Sequence, residues 1–248
     1  MTPTNAPTRR GSPARTAMID AAERIVAEQG MPALTLRAVQ EAAGQSNKSA
    51  VNYHFGSRDG LIAAILDDRM RPIAEQRRAL LDAIDVRYGF RSAVADGAVA
   101  SAAAAPLLRE LTVALVDPLA RRVFETPRSA YARFLAQSMV SPELAEIIAR
   151  QATMFTVNET QQYMVRVLVA GRAAPGLDGD TAVWRANGLL GHVITALAAA
   201  EPHITGPRGR VITARIIDTC HGLLTAPVGH PDPIPTAPTD HRPEESLP

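Results

Sequence analysis

The chain has 248 residues, enough for one well-filled core or for a small domain attached to a larger one. With 26 Lys and Arg against 25 Asp and Glu its formal net charge is +1, so any contact with a polyanion must rest on local charge and not on the overall balance. A single cysteine, Cys220, excludes an intrachain disulfide and a multi-cysteine metal site, no stretch is long and apolar enough to span a bilayer, and the N-terminus lacks the apolar run of a signal peptide; a soluble, cytoplasmic protein is the expectation.

In chain order, Arg9, Arg10 and Arg15 precede the first acidic residue, Asp20, and residues 1–11 read as a flexible basic arm. Such an arm either enters a minor groove or stays a solvated terminus. Ser12 and Pro13 signal a helix start, and Gly30 with Pro32 a stop. Between them Ile19, Ala22, Ile25 and Val26 trace one face. Leu36, Val39, Ala42 and Ala43 then mark a short second helix ended by Gly44, and Asn47 caps a third. In that third helix Val51 and Phe55 point inward, four residues apart, which leaves Asn47, Lys48, Ser49, Asn52 and Tyr53 facing outward. These side chains bond phosphates and base edges. From Gly44 to Arg58 there is no acidic residue, while Lys48, His54 and Arg58 are donors or cations, as contact with nucleic acid requires. A fourth helix starts at Ser57 and runs toward Ile84, leaving the small domain as the link to whatever follows.

Residues 13–66 resemble the tetracycline-repressor (TetR) family of bacterial regulators. The resemblance is carried by Glu28-Gln29-Gly30, by Leu34-Thr35-Leu36-Arg37, by Ala42-Ala43-Gly44, and by Tyr53-His54-Phe55-Gly56-Ser57-Arg58 with Leu61. Relative to the family pattern, the turn after Gly44 is one residue longer and polar at Gln45 and Ser46, and Asn52 stands where an aromatic residue usually contacts phosphate. The resemblance implies an all-α protein with a three-helix helix-turn-helix domain, here 12–56, and a larger helical ligand-binding and dimerisation domain, here 57–226. It implies a homodimer on a pseudopalindromic double-stranded DNA operator, most simply a repressor released by a small apolar or amphipathic effector. Asn47, Lys48, Ser49, Asn52 and Tyr53 are then the groove candidates, and Thr35, Ser46, His54 and Arg58 the backbone-positioning candidates.

Beyond the motif, residues 86–105 read as a connection with at most a helical turn. Helical patterns follow at 106–123, 127–139, 142–170, 179–200 and 208–225. The segments 179–200 and 208–225 are apolar around more than one face, so both sides must be covered. Pairing with a second subunit, as the resemblance implies, and burial within one subunit both satisfy that need. The bulky residues Phe134, Met139, Met154, Phe155, Tyr163 and Trp184 suggest an apolar effector pocket around 142–170, with Asn158, Gln162, Asn187 and His192 orienting a polar end; ordinary core packing is the alternative for each. From Pro227 onward seven of 22 residues are proline, and 227–248 reads as a disordered tail.

Two other function classes fit the sequence less well. An enzyme lacks its signatures: Cys220 and His221 are helix neighbours pointing about 100° apart, and there is no phosphate-binding glycine loop or paired-histidine metal motif, so neither metal nor cofactor is expected. A helical architectural or interaction module that does not read sequence fits less well, because a backbone binder favours several cations where this helix offers Asn, Ser and Tyr beside one Lys.

Overall fold

In the computed structural model, residues 12–45, 50–151, 154–171, 176–204 and 206–229 are described, and they are helical with no strand among them. The basic arm 1–11, the candidates Ser46, Asn47, Lys48 and Ser49, and tail residues 230–248 lie outside the described residues.

The first helix, α1 (Pro13–Gln29), begins as its sequence predicts: the Ser12 hydroxyl accepts from the Arg15 amide at 3.2 Å, and Pro13 occupies the first turn. It stops at Gly30, whose amide bonds Val26 O. A 3₁₀ turn (Met31–Ala33) leads to α2 (Leu36–Ala42) and α3 (Ala50–Phe55). Helix α4 (Arg58–Tyr88) has 31 residues, about 46 Å at the usual rise, and continues through Pro72 and past Ile84. Its first turns close the N-terminal head, where Leu61, Ile62 and Ile65 are fully buried with Met18, Ile19, Leu34, Val39 and Val51. Its remaining turns, with Ile73 and Leu81, belong to the larger core.

That core contains α5 (Phe90–Ala95), α6 (Ser101–Phe124), α7 (Tyr131–Met139), α8 (Pro142–Ala149), α9 (Phe155–Ala170), α10 (Gly179–Ala200) and α11 (Pro207–Thr225). Central α6 packs against α4, α9 and α11, while α10 packs against α7, α9 and α11. The crossing of α11 on α6 is close enough that a Cβ at Gly209 would sit 2.6 Å from Phe124 Cβ, so only glycine fits there.

Three sequence readings change. The predicted connection 86–105 holds the last turn of α4, the short α5 and the start of α6, because Gly89, in the left-handed region at φ 56, ends one helix and turns the chain into the next. The pattern 127–139 becomes helical only from Tyr131, since 125–130 form a turn. The predicted long helix 142–170 is two helices. Its break is local chemistry: the Gln151 amide donates to Ile148 O, tightening the last turn, and the Gln151 side-chain amide donates to Ile147 O, the carbonyl a continuing helix would have used.

Candidate nucleic-acid interface

The head is a support for α3, which packs against α1, α2 and α4. Val51 and Phe55 turn inward, 2% and 8% exposed, and the Arg15 guanidinium lies 5.7 Å over the Phe55 ring while pairing with Asp68 at 2.8 Å. The chain leaving α2 is held back on it as far as Gln45: the Gln45 amide donates to Gln40 O, and the Gln40 side-chain amide returns a bond to Gln45 O. On the other flank, the Ser57 hydroxyl accepts from the Gly60 amide at 3.0 Å and caps α4. A Cβ at Gly60 would lie 2.1 Å from Phe55 O, so the α3–α4 corner can only close on glycine.

What α3 then presents to solvent is Asn52 and Tyr53, with His54 half-exposed. Tyr53 is 81% exposed, and its ring meets His54 edge-on at 5.3 Å. An amphipathic ring held outside the core by a helix whose other face is buried takes no part in packing the head. Beside it, Leu36, Arg37, Gln40, Glu41, Val51 and Asn52 line an open groove of about 530 Å³ between α2 and α3. Arg37 was not among the sequence candidates. Its exposed guanidinium pairs with Glu41 at 2.8 Å, so it stands ready next to Asn52; the signal was the basic residue directly after the Thr35-Leu36 helix start.

Two positioning candidates are occupied by structural tasks. The Thr35 hydroxyl oxygen accepts from the Ala38 amide at 3.1 Å, capping α2. Arg58 is turned inward: its Nε donates to Leu34 O at 3.0 Å and its Nη2 to Met31 O at 3.1 Å, so it straps α4 to the loop before α2 instead of reaching outward as expected. Met31 O already accepts from the Leu34 amide, and the arginine fork adds a second donor there and one at Leu34 O.

The head is joined to the core by ion pairs. Arg69 on α4 donates through Nε to Glu23 at 2.6 Å and also pairs with Asp20, both on α1, and with Asp68 at 3.2 Å. Burial holds the Glu23 carboxyl above its ordinary range in spite of Arg69.

The expected effector pocket does not form as one cavity. Phe134 is fully buried and stacked on Tyr131, Met154 and Tyr163 are half-buried, and Tyr163 packs edge-on against Phe90 while donating to Glu159. Met139, Phe155 and Trp184 are exposed, Trp184 by 77%. His192 is half-buried and does not line the groove described next. The reason is rotational: on α9 the buried stripe is Val157, Thr160, Gln161, Met164 and Leu168, which leaves Phe155, Asn158 and Gln162 on the outer face. Only Asn158, Gln162 and Asn187 come together, in an open groove of about 360 Å³ between α9 and α10 with Gln161, Val165, Arg166 and Val183. Cys220 is buried, and burial pushes its thiol up to about 11. No cluster of metal-ligating side chains occurs among the described residues, and no helix among them is long and apolar enough to cross a membrane.

Residues 18–65 match the family described as bacterial regulatory proteins, tetR family. The HTH-type transcriptional regulators BetI of Burkholderia cenocepacia (strain HI2424) and Burkholderia orbicola (strain MC0-3) are each 30% identical to the chain over 115 residues. That alignment covers 44% of this chain and 59% of each relative, so the chain spans little more than half the length of the curated proteins it matches. The family match covers most of the three-helix head and the first turns of α4, the same residues that hold Tyr53 and Asn52 outward, so it is the N-terminal head of the chain that is similar to TetR-family regulators.

Proposed function

We propose that the protein is a homodimeric DNA-binding transcriptional regulator, most simply a repressor, that responds to a small amphipathic effector. The observation that carries this reading is the outward face of α3, where Asn52 and the 81% exposed Tyr53 project from a helix anchored by Val51 and Phe55. Asn pairs in bidentate fashion with adenine, and a tyrosine hydroxyl bonds a phosphate or a base edge. Lys48, read from the sequence as lying one turn earlier, supplies a cation. Binding of genomic fragments by fluorescence anisotropy tests the reading. Asn52→Ala is expected to cost about 1–3 kcal/mol on the preferred fragment and to relax its sequence preference, whereas Lys48→Ala, if it meets only phosphate, weakens all fragments alike and lowers the salt slope by about one. No fragment bound above non-specific level by the unaltered protein would sink the proposal.

Dimerisation is supported by α10 and α11, which bury one side in the subunit and still expose Val183, Trp184, Val211 and Leu223. Trp184, Gly188, Leu223 and Ala226 line a shallow, mostly apolar cleft of about 390 Å³ on that surface. A second copy covers both, and two heads then address half-sites about 34 Å apart or somewhat more. Trp184→Arg places a charge in the middle of this interface. It is expected to weaken self-association by about 2–4 kcal/mol, read by sedimentation equilibrium; a variant that stays as dimeric as the parent would move the interface elsewhere. Effector response is assigned to α4, because one continuous helix carries both head and core residues, and a coupling of about 1–3 kcal/mol changes operator affinity some 5- to 150-fold.

A further inference from the structure

Between head and core, Asp20, Glu23 and Arg24 of α1, Arg69 of α4, Arg122 of α6 and Arg128 of the α6–α7 turn line a cleft of about 250 Å³. Four guanidinium groups face two carboxylates there, and both carboxylates are held by Arg69. Among the described residues Arg24, Arg122 and Arg128 have no ion pair; Arg122 bonds only the Thr126 hydroxyl, at the rim of the same cleft. We propose that this cleft is a binding site for a small oxyanion, a phosphate or carboxylate group on a compact molecule, gripped from the head by Arg24 and from the core by Arg122 and Arg128.

Three further observations point the same way. Burial and the neighbouring Arg69 cation pull Arg122 below its ordinary value, a cost that an anion in the cleft removes. Arg128, at φ 54, is the one non-glycine residue with a positive φ among those described, and a strained backbone that displays a cation into a cleft is kept for what the side chain does. Behind the cleft wall, the Tyr131 hydroxyl is fully buried without a hydrogen-bond partner among the described residues, close enough to feel the charges of Glu23, Arg122 and Arg69. Arginine forks match phosphate and carboxylate geometry, and the volume suits a group of that size but not an extended apolar effector.

This inference does not depend on the DNA-binding reading, since its test needs no operator. The full chain is titrated with inorganic phosphate and, separately, with citrate against chloride at constant ionic strength, and the melting temperature is followed. A rise with either anion is the expected result, and the anion with the stronger response identifies the phosphoryl or the carboxylate source. Arg24→Ala, on an exposed face, is expected to weaken the anion's apparent affinity on the order of tenfold. Arg128→Gly separates site from scaffold, because it relieves the strained backbone and removes a cation together: the ligand-free protein should melt higher while the anion response shrinks. Equal melting in both anions and chloride, or an undiminished anion response in the Arg24→Ala/Arg128→Gly double variant, overturns the proposal.

Discussion

Replacing Arg77 with methionine is expected to destabilise the fold by about 3 kcal/mol, and the reason lies in a proline on another helix. Arg77, in the middle of α4, is 1% exposed and has no carboxylate partner among the described residues, and burial pulls its guanidinium down to about 10 without discharging it at neutral pH. A buried cation of this kind costs free energy unless its donors are used. They are used on α6, where Pro118 has no amide proton and so leaves Ala114 O without the donor that a regular helix provides. Arg77 Nε donates to Ala114 O at 3.2 Å and Nη2 to Leu115 O at 3.1 Å, while Nη1 reaches the Thr156 hydroxyl of α9 at 3.2 Å. One side chain therefore repairs the proline break and ties three helices together. Methionine fills similar space but leaves Ala114 O buried and unmet. The pairing makes a sharper claim than the single loss: with Pro118→Ala the helix regains its own donor for Ala114 O, so Arg77→Met should cost at least about 1 kcal/mol less in that background. Urea unfolding at one protomer concentration measures all four proteins, and strictly additive costs would show that Arg77 is not answering Pro118.

The same pairing shows where sequence reading stops. The all-α class and the head were legible because their signals are local. Ser12-Pro13 and Gly30 bracket α1, Val51 and Phe55 give α3 its inner face, and Ser57 caps α4. The segments 179–200 and 208–225 were likewise recognisable as helices from unbroken apolar spacing. Arg77 and Ala114 are 37 residues apart, however, and no periodicity links a cation in one helix to a missing amide in another. The basic context of Arg58 suggests a phosphate donor, yet in the folded chain its guanidinium bonds the Met31 and Leu34 carbonyls, in and just after the 3₁₀ turn that precedes α2. The effector residues failed for a different reason. Helical spacing says which residues share a stripe; it does not say which stripe of a helix with apolar residues all round meets the core. Trp184 and Phe155 were read as lining because they are large, whereas α9 and α10 bury smaller stripes and turn these two outward. Gln151 breaks 142–170 through side-chain and backbone bonds of its own, with no glycine or proline to announce it.

Glu201 is the second residue whose role is set across a long stretch of chain, and its removal is expected to unpin the helix next to the head. Helix α7 starts at Tyr131 after Ala130, a residue whose side chain cannot cap. The cap arrives from the end of α10. Glu201, its side chain 1% exposed, accepts through Oε1 from the Ser129 hydroxyl at 2.7 Å and the Ala132 amide at 3.1 Å, and through Oε2 from the Arg133 amide at 3.1 Å and Arg133 Nε at 3.2 Å. The carboxylate thus satisfies two otherwise unpaired amides in the first turn of α7, where the helix dipole favours negative charge. Glu201→Ala should cost about 3 kcal/mol, since it leaves buried donors unmet as well as losing the charge-assisted bonds. Glu201→Gln should cost about 2 kcal/mol, because one end of the amide turns N–H groups toward donors. Ser129→Ala loses the bond to the charged acceptor and a longer one, 3.3 Å, that the hydroxyl accepts from the Tyr131 amide, and should cost about 2 kcal/mol. Hydrogen exchange locates the loss: the Ala132 and Arg133 amides should exchange faster in both Glu201 variants, ahead of those in α6. Because α7 packs directly on α1, loosening its first turn also loosens the seat of the head. If Glu201→Gln unfolds at the parent's midpoint with both amides still protected, the carboxylate is not the cap and α7 is held by its packing alone.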